Sequence, residues 1–416
     1  MWTIKTTVIF IALIGGLYST FLNLIRYRSA NNPTPENLKD VYDAETYEKW
    51  KQYSKEHNRL KILSSIVSCL VTILLLLTNA YAAFAMLFPY TLEWQVFAVI
   101  LLESLVSTAV GVVESYIANM KIEQKYGFNR SSVKTFIADR LRSFIAMFVF
   151  SYAFAYAIGA CYYSLGIMMI PAFAILAFLF SMLISFLYPL LSRIGNKFTP
   201  LPEGELRDSL KKLLDKYGYK VKEIQVMDAS RRTTKLNAYF TGTGKLKTIV
   251  LYDNLLNALS AEEICAVFAH ELGHGLHKDV QKRQVLNIFQ LLIIGTLAYL
   301  VASAGELYMF FGFNYLNGGF AYIVVGICLS VLQPIIGFIT NAHSRRAEFR
   351  ADRQAVIEGY GEAMISAFKK MARDNFSHLS PSWINVVLEY SHPPLKARIK
   401  SIKREMKRFD KINSKK

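Results

Sequence analysis

The most constraining feature of this chain is where its basic residues are missing. Lys and Arg total 48 over 416 residues, yet none occurs at 62–120, 143–192 or 284–344. A helix needs about 20 apolar residues to cross the hydrocarbon core of a bilayer, where an ionised side chain is costly. Each gap is long enough for two crossings and a short return. The returns read as 89–95, 163–166 and the Gly-rich 305–319. An apolar run at 7–25 adds one more crossing. It is longer than a signal-peptide core and lacks a small-x-small cleavage pattern before Arg26 and Arg28, so it reads as a retained span. The expectation is an α-helical integral membrane protein with seven transmembrane helices.

Seven crossings put the termini on opposite sides. Segments 26–61, 121–142, 193–283 and 345–416 are rich in Lys and Arg and all fall on one face. The positive-inside rule makes that face cytoplasmic, leaving the N-terminus outside or lumenal. The net charge of +17 is then a topology signal, reinforced by anionic lipid headgroups. With no nucleic-acid-binding motif, the reading is no nucleic-acid partner. Composition agrees: 53% hydrophobic and 19% charged, against about 45–50% and 25% in soluble domains. Four cysteines without a CxxC pair exclude a disulfide-stapled secreted scaffold.

The organisation follows. Residues 1–192 hold spans one to five with cytoplasmic loops 26–61 and 121–142. Residues 193–283 form a cytoplasmic part, 284–344 hold spans six and seven, and 345–416 are a second, mainly helical cytoplasmic part with a basic tail. Within 193–283, KFTPLPEGEL (197–206) is a Pro/Gly-marked loop, and Leu206, Leu210, Leu213, Leu214 and Tyr217 repeat at helical spacing. KEIQVM (222–227) and KTIVLY (247–252) alternate like strands around a Gly-Thr-Gly turn at 242–244.

The chemistry gathers next. Ser260 and Glu263 are spaced as a capping box. Ten residues on from Ser260 stands His270-Glu271-Leu272-Gly273-His274. Side chains four apart share one helix face, so both imidazoles can meet one ion, with Glu271 beside it to take a proton from water. Two imidazoles and a carboxylate suit a single catalytic Zn2+ that keeps a position for water. The third ligand is not the metzincin histidine, since position 280 is Val280, and His277 lies another turn along. Glu348 is the better choice. The histidine helix enters the hairpin 284–344 and Glu348 leaves it, so the two ends can meet. Asp352, one turn beyond, can accept a hydrogen bond from a ligand imidazole. His392, in YSHPPL (390–395), suits either an oxyanion donor or a loop histidine. Asn237 and Ala238 lie in an extended segment whose backbone could pair with a stretched peptide.

With these residues placed, the chain resembles the integral-membrane type I CAAX prenyl endopeptidases, a family of zinc metalloproteases. The resemblance rests on KYGFNRSS (125–132), KFTPLPEGEL (197–206), LNAYFTG (236–242), IVLYDNLL (249–256), AHELGH (269–274), EFRAD (348–352) and YSHPPLKARI (390–399), in the family's order. It implies seven tilted helices around a water-filled chamber, with a zincin-like cytoplasmic domain containing a small β-sheet. It also implies zinc on His270, His274 and Glu348, with Glu271 as general base and His392 near the transition state. Asn237 and Ala238 would grip the substrate backbone, and Asp352 would orient His270. The implied substrate is a protein ending in a prenylated CaaX tail, which loses its last three residues. The implied home is the endoplasmic reticulum membrane in a eukaryote and the cytoplasmic membrane in a bacterium. Glu103 and Glu114, inside the third span, should face a water-filled cavity or find partners.

Three rivals share parts of this pattern. A heat-shock-type quality-control zinc protease has HExxH but usually fewer spans. An intramembrane protease would bury the motif, whereas here Glu262, Glu263, Lys278, Asp279, Lys282 and Arg283 flank it. A channel or transporter leaves the metal constellation unexplained.

Overall fold

The computed structural model describes residues 3–193, 196–241 and 248–414. Among them, helices run in the order α1 (Ile4–Ser29), α2 (Ala44–Leu77), α3 (Ala80–Ala85), α4 (Leu92–Tyr116), α5 (Val133–Leu165), α6 (Met169–Leu191), α7 (Glu205–Lys216), α8 (Asp253–Ala258), α9 (Ala261–Leu276), α10 (Asp279–Ser303), α11 (Gly305–Phe310), α12 (Gly318–Ile357), α13 (Gly361–Asp374), α14 (Trp383–Leu388) and α15 (Leu395–Asn413). Six stretches of the described residues are long and apolar enough to cross a membrane: Ile4–Ser29, Ala44–Leu77, Leu92–Glu123, Val133–Leu187, Asp279–Ser303 and Gly318–Ile357. The fourth is 55 residues long, but it is not one rod. At Gly166 the backbone turns to φ 52°, a conformation that glycine adopts without a Cβ penalty, and α6 starts anew at Met169.

Many large hydrophobic side chains on these helices point outward, among them Leu70, Leu74, Leu179, Leu183, Phe289 and Ile335. In water such a belt would be an aggregation surface; in lipid it is the expected exterior. Inside the bundle, Val8, Leu76, Tyr81, Val99, Ile158, Phe173, Ala298, Tyr308 and Phe320 pack into one core. Beside that core lies a cavity of about 790 Å³, reached by Glu103, Glu114, Lys61 and Arg26. Glu103 accepts from Tyr81 Oη at 2.5 Å and from Ser107 Oγ at 2.6 Å, and Glu114 accepts from Ser64. Both intramembrane carboxylates thus line a cavity and also have partners.

A second core lies outside the bundle. The expected helix at 206–217 is α7, which buries Leu210, Leu213 and Leu214. The sheet has four strands, β1 (Phe198–Pro200), β2 (Glu223–Met227), β3 (Ala238–Thr241) and β4 (Thr248–Tyr252), in the order β1-β2-β4-β3. β2 and β4 pair in parallel, from Glu223 opposite Thr248 to Met227 opposite Tyr252. β3 pairs antiparallel to β4, with Ala238 opposite Leu251. The Gly-Thr-Gly turn at 242–244 lies outside the described residues. The start of KFTPLPEGEL forms edge strand β1; Pro200, which has no N–H, stands at its end opposite Gln225. Residues before α2 and in its first turns also join this core, with Leu38, Val41, Tyr42 and Trp50 buried in the same cluster. α12 runs unbroken from the bundle into this core, so Glu348 rides on a continuation of the last span.

Candidate active site

The site is built by one helix pair. α9 starts on the expected capping box: Ser260 Oγ accepts from Glu263 N at 3.2 Å, and Glu263 Oε2 accepts from Ser260 N at 2.8 Å. Glu263 also takes Lys370 Nζ at 2.8 Å and Ser366 Oγ at 2.6 Å, which fastens the helix start to α13. Further along, Gly273 faces α12 directly. A Cβ there would lie 2.9 Å from Gln354 Cβ and 3.0 Å from Ala351 Cα. The glycine inside HELGH therefore lets α9 approach α12 backbone to side chain, and that approach carries Glu348 to the histidines.

His270, His274 and Glu348 each present one ligand atom, all within 4.8 Å of one another. Glu348 Oε2 lies 3.6 Å from His270 Nε2, and Glu348 Oε1 lies 3.4 Å from His274 Nε2. Two donors on one tetrahedral zinc, bonded at about 2.0–2.2 Å, stand about 3.3–3.6 Å apart, so the spacing fits. The other ring nitrogens are engaged elsewhere: His270 Nδ1 pairs with Asp352 Oδ1 at 2.9 Å, and His274 Nδ1 with Asp279 Oδ2 at 3.1 Å. A carboxylate on Nδ1 fixes the tautomer that leaves Nε2 free to ligate. Glu348 Oε2 is buried and accepts no hydrogen bond. Its neighbours are the Arg398 guanidinium at 3.3 Å and His270 Nε2 at 3.6 Å, and Arg398 Nη2 also stands 3.4 Å from His270 Nε2. A buried carboxylate oxygen without a hydrogen bond, beside imidazole nitrogens at these distances, is what a cation would satisfy. The donor set therefore fits a metal, and His270, His274 and Glu348 are the residues that would hold it.

Around this centre the charges are closely balanced. Arg398, from α15, donates to Asp352 at 2.6 and 2.9 Å, lies 3.3 Å from Glu348 Oε2 and stacks over Phe368 at 4.0 Å. Burial opposes its charge, but Asp352 and Glu348 outweigh that and raise its pKa. Burial likewise disfavours the His274 cation, yet Glu348 and Asp279 lift His274 above the ordinary imidazole range. Burial pushes the Glu271 carboxyl above its usual range against the pull of His270 and His274. His392 reaches the same centre, with Nε2 3.3 Å from Glu348 Oε1 and Nδ1 2.9 Å from Ser391 Oγ. Its pKa is lowered by burial, Glu348 opposing and Arg398 assisting. His277 caps the end of α9, outside the ligand group.

Asn237 and Ala238 stand at the start of the edge strand β3, which packs against α9. Asn237 gives its carbonyl to Tyr252 N–H at 3.1 Å and its side-chain oxygen to Ala238 N–H at 2.9 Å. Since the polar groups of successive residues of an antiparallel strand point to opposite sides, Ala238 turns its carbonyl to the open edge, its N–H being taken by the Asn237 side chain. Asn375 holds the preceding residue in register, accepting from Leu236 N at 2.7 Å and donating to Leu236 O at 3.0 Å.

Three participants were not singled out from the sequence. Arg398 lies inside YSHPPLKARI, six residues past His392. Asp279 had been read only as a charge marking the membrane edge, and Arg350, inside EFRAD, donates to Asp279 Oδ1 at 2.7 Å. The available signal was chemical: each ligand imidazole needs an acceptor on its second nitrogen, and a buried carboxylate needs a cation.

Comparison with known proteins is consistent along nearly the whole length. Two family models match, "Peptidase family M48" over residues 200–406 and "CAAX prenyl protease N-terminal, five membrane helices" over residues 23–193. The CAAX prenyl protease 1 homolog of Dictyostelium discoideum is 31% identical, covering 84% of this chain and 85% of its own. That of Arabidopsis thaliana is 29% identical, covering 97% and 98%. CAAX prenyl protease 1 of Saccharomyces cerevisiae is 28% identical, covering 92% of each. The crystal structure of S. mikatae Ste24p has the same fold, with a TM-score of 0.89 at 24% identity over 97% of this chain and 99% of that one.

Proposed function

This chain belongs to the CAAX prenyl protease 1 family of membrane metallopeptidases, and from that premise we propose that it uses one zinc ion to cut CaaX tails, releasing the last three residues. The observation that carries the reading is the pair of Nε2 atoms aimed at one buried carboxylate, each imidazole anchored by an acid on its other nitrogen. The ion, when bound by His270, His274 and Glu348, polarises a peptide carbonyl and makes water nucleophilic at neutral pH.

The residues of the chain do the rest. Ala238 offers its edge-facing carbonyl to an extended substrate, as toward an added strand, while Asn237, whose side-chain oxygen accepts the Ala238 N–H, holds the strand end in shape. Glu271 accepts a proton from the attacking water and returns it to the leaving amine; its raised pKa suits both directions. His392, held at the centre by Glu348, donates toward the oxygen that gains negative charge. Asp352 keeps the proton of His270 on Nδ1.

The same reading extends to the membrane. The break at Gly166 divides Val133–Leu187 into two crossings and makes seven. Lys- and Arg-rich segments put the site and the C-terminus in the cytoplasm and the N-terminus outside or in the lumen. The cavity with Glu103 and Glu114 is the water-filled chamber. The home is the endoplasmic reticulum membrane in a eukaryotic cell.

The test is a pair of CaaX peptides, prenylated and unprenylated, given to purified wild-type and Glu271→Ala protein. The reading expects release of the terminal tripeptide from the prenylated peptide by wild type alone. Equal cleavage of both peptides would favour the quality-control type of activity, and no cleavage would remove the assignment.

A further inference from the structure

A peptidase that removes three residues must measure the distance from the scissile bond to the chain end. α12 supplies the ruler. It carries Glu348 at the centre, and at 1.5 Å per residue Arg345 stands about 4.5 Å and Asn341 about 10 Å farther toward the bundle. Arg345 donates to the carbonyls of Val386 and Tyr390 at 2.9 and 2.7 Å, and Asn341 to that of Leu388 at 3.1 Å. Residues 386–390 are therefore held about one to two turns up α12 from Glu348. At that level Glu389 Oε2 receives Arg26 Nη2 at 2.7 Å and Asn385 Nδ2 at 2.7 Å.

Arg26 also lines the cavity, as do Asn23 and Lys61. The Asn23 side chain links the three, its Nδ2 donating to the Lys61 carbonyl at 3.5 Å and its Oδ1 accepting from Arg26 Nη1 at 3.1 Å. Arg26 is committed to Glu389. Lys61 is not: among the described residues its ammonium makes no hydrogen bond or ion pair, although Arg26, Glu114 and Glu389 act on it at longer range. Deeper in the cavity the sign reverses, with Glu114 bonded to Ser64, one turn past Lys61, and Glu103 beyond it bonded to Tyr81. With Arg26 neutralised by Glu389, Lys61 is the cation left at this end of the cavity, and Glu114 and Glu103 make its deeper part unfavourable for an anion.

We propose that Lys61, beside Arg26 at the cytoplasmic end of the cavity, binds the C-terminal carboxylate of the substrate. An extended tripeptide spans about 10 Å, comparable with the one to two turns of α12 that separate Glu348 from the 386–390 segment. The proposal deepens the function given above and rests on it: the active centre fixes the cut, and the free ammonium fixes the end of the chain. Lys is suited to this task as a point charge on a flexible stem that tolerates different tripeptides.

The experiment compares a prenylated CaaX peptide bearing a free C-terminal acid with the same peptide as its C-terminal amide. Wild type should cut the acid at least about tenfold more efficiently, through KM, because a charge-assisted contact is lost in the amide. Lys61→Met, which keeps the stem, should abolish this preference by raising KM for the acid alone, and Lys61→Arg should restore it. Equal efficiency of wild type toward acid and amide overturns the proposal, as does a preference that survives in Lys61→Met. If neither peptide is cut, the peptidase reading fails, and calorimetry with a free apolar tripeptide then decides the subsite. Tighter binding of tripeptide acid than amide to wild type, but not to Lys61→Met, upholds it; equal binding overturns it.

Discussion

Replacing Asp352 should weaken metal binding without touching a metal ligand. Its carboxylate is 1% exposed and serves two neighbours, accepting from His270 Nδ1 at 2.9 Å and from Arg398 at 2.6 and 2.9 Å. Asp352→Ala removes both acceptors at once. Arg398, with 11% of its side chain exposed, keeps only the 3.3 Å contact to Glu348 as an ion pair. Breaking a buried pair by deleting one partner costs about 3–5 kcal/mol. His270 loses the group that holds its proton on Nδ1, and second-sphere losses of this kind lower metal affinity about 10–100-fold, or about 1.4–2.7 kcal/mol. Zinc competition against a chromophoric chelator reads the second effect, and apparent Tm in detergent reads the first. Asp352→Asn keeps the volume and one acceptor, so it folds more readily and still weakens zinc. A zinc Kd within twofold of wild type in both variants would refute the argument that Asp352 prepares His270 for ligation.

Glu271→Ala should retain its metal and lose about 10²–10⁴-fold in kcat if Glu271 transfers the proton as proposed; metal analysis and peptide cleavage on one preparation check both. Gly273→Ala should destabilise by about 1–3 kcal/mol, because its Cβ would press on Ala351 and Gln354, and apparent Tm together with zinc affinity should fall. His378 titrates at about 4 because it is buried and near Arg26. Ser380 N–H donates to its Nδ1 at 3.3 Å and Ser29 Oγ lies 2.9 Å from its Nε2. Its folded pKa is below its unfolded one, so the unfolded chain binds the extra proton first. The stability contributed by neutral His378 is complete above about pH 6.5 and is lost as pH falls to about 4, by about 3 kcal/mol. His378→Gln should flatten the fall in apparent Tm across that window; an unchanged slope would contradict this assignment.

The apolar spans were legible because they are local: twenty residues without charge need no partner to be recognised. The capping box at Ser260 and the shared helix face of His270 and His274 were legible for the same reason, being fixed by helix periodicity. Glu348 could be found because a hairpin returns its two ends to one side. What escaped was long-range. β1 and β3 have three and four residues, too few to show a period, and the parallel pairing of β2 with β4 is set by packing rather than by either strand. Residues 26–61 read as a charged loop, yet Tyr42 and Trp50 are buried in the core outside the bundle. Arg398 was hidden among the many basic residues of α15, and only the carboxylates it neutralises mark it out. The division of 133–187 at Gly166 was foreseen from the return at 163–166, since a continuous helix of 55 residues would be about 80 Å long.

Metal analysis of the intact protein, purified without chelators, tests the account at its centre. The account predicts one zinc per chain in wild type, and loss of that zinc in Glu348→Ala while the protein stays folded. A wild-type protein that holds no stoichiometric metal, or a Glu348→Ala protein that holds it as tightly as wild type, would contradict it.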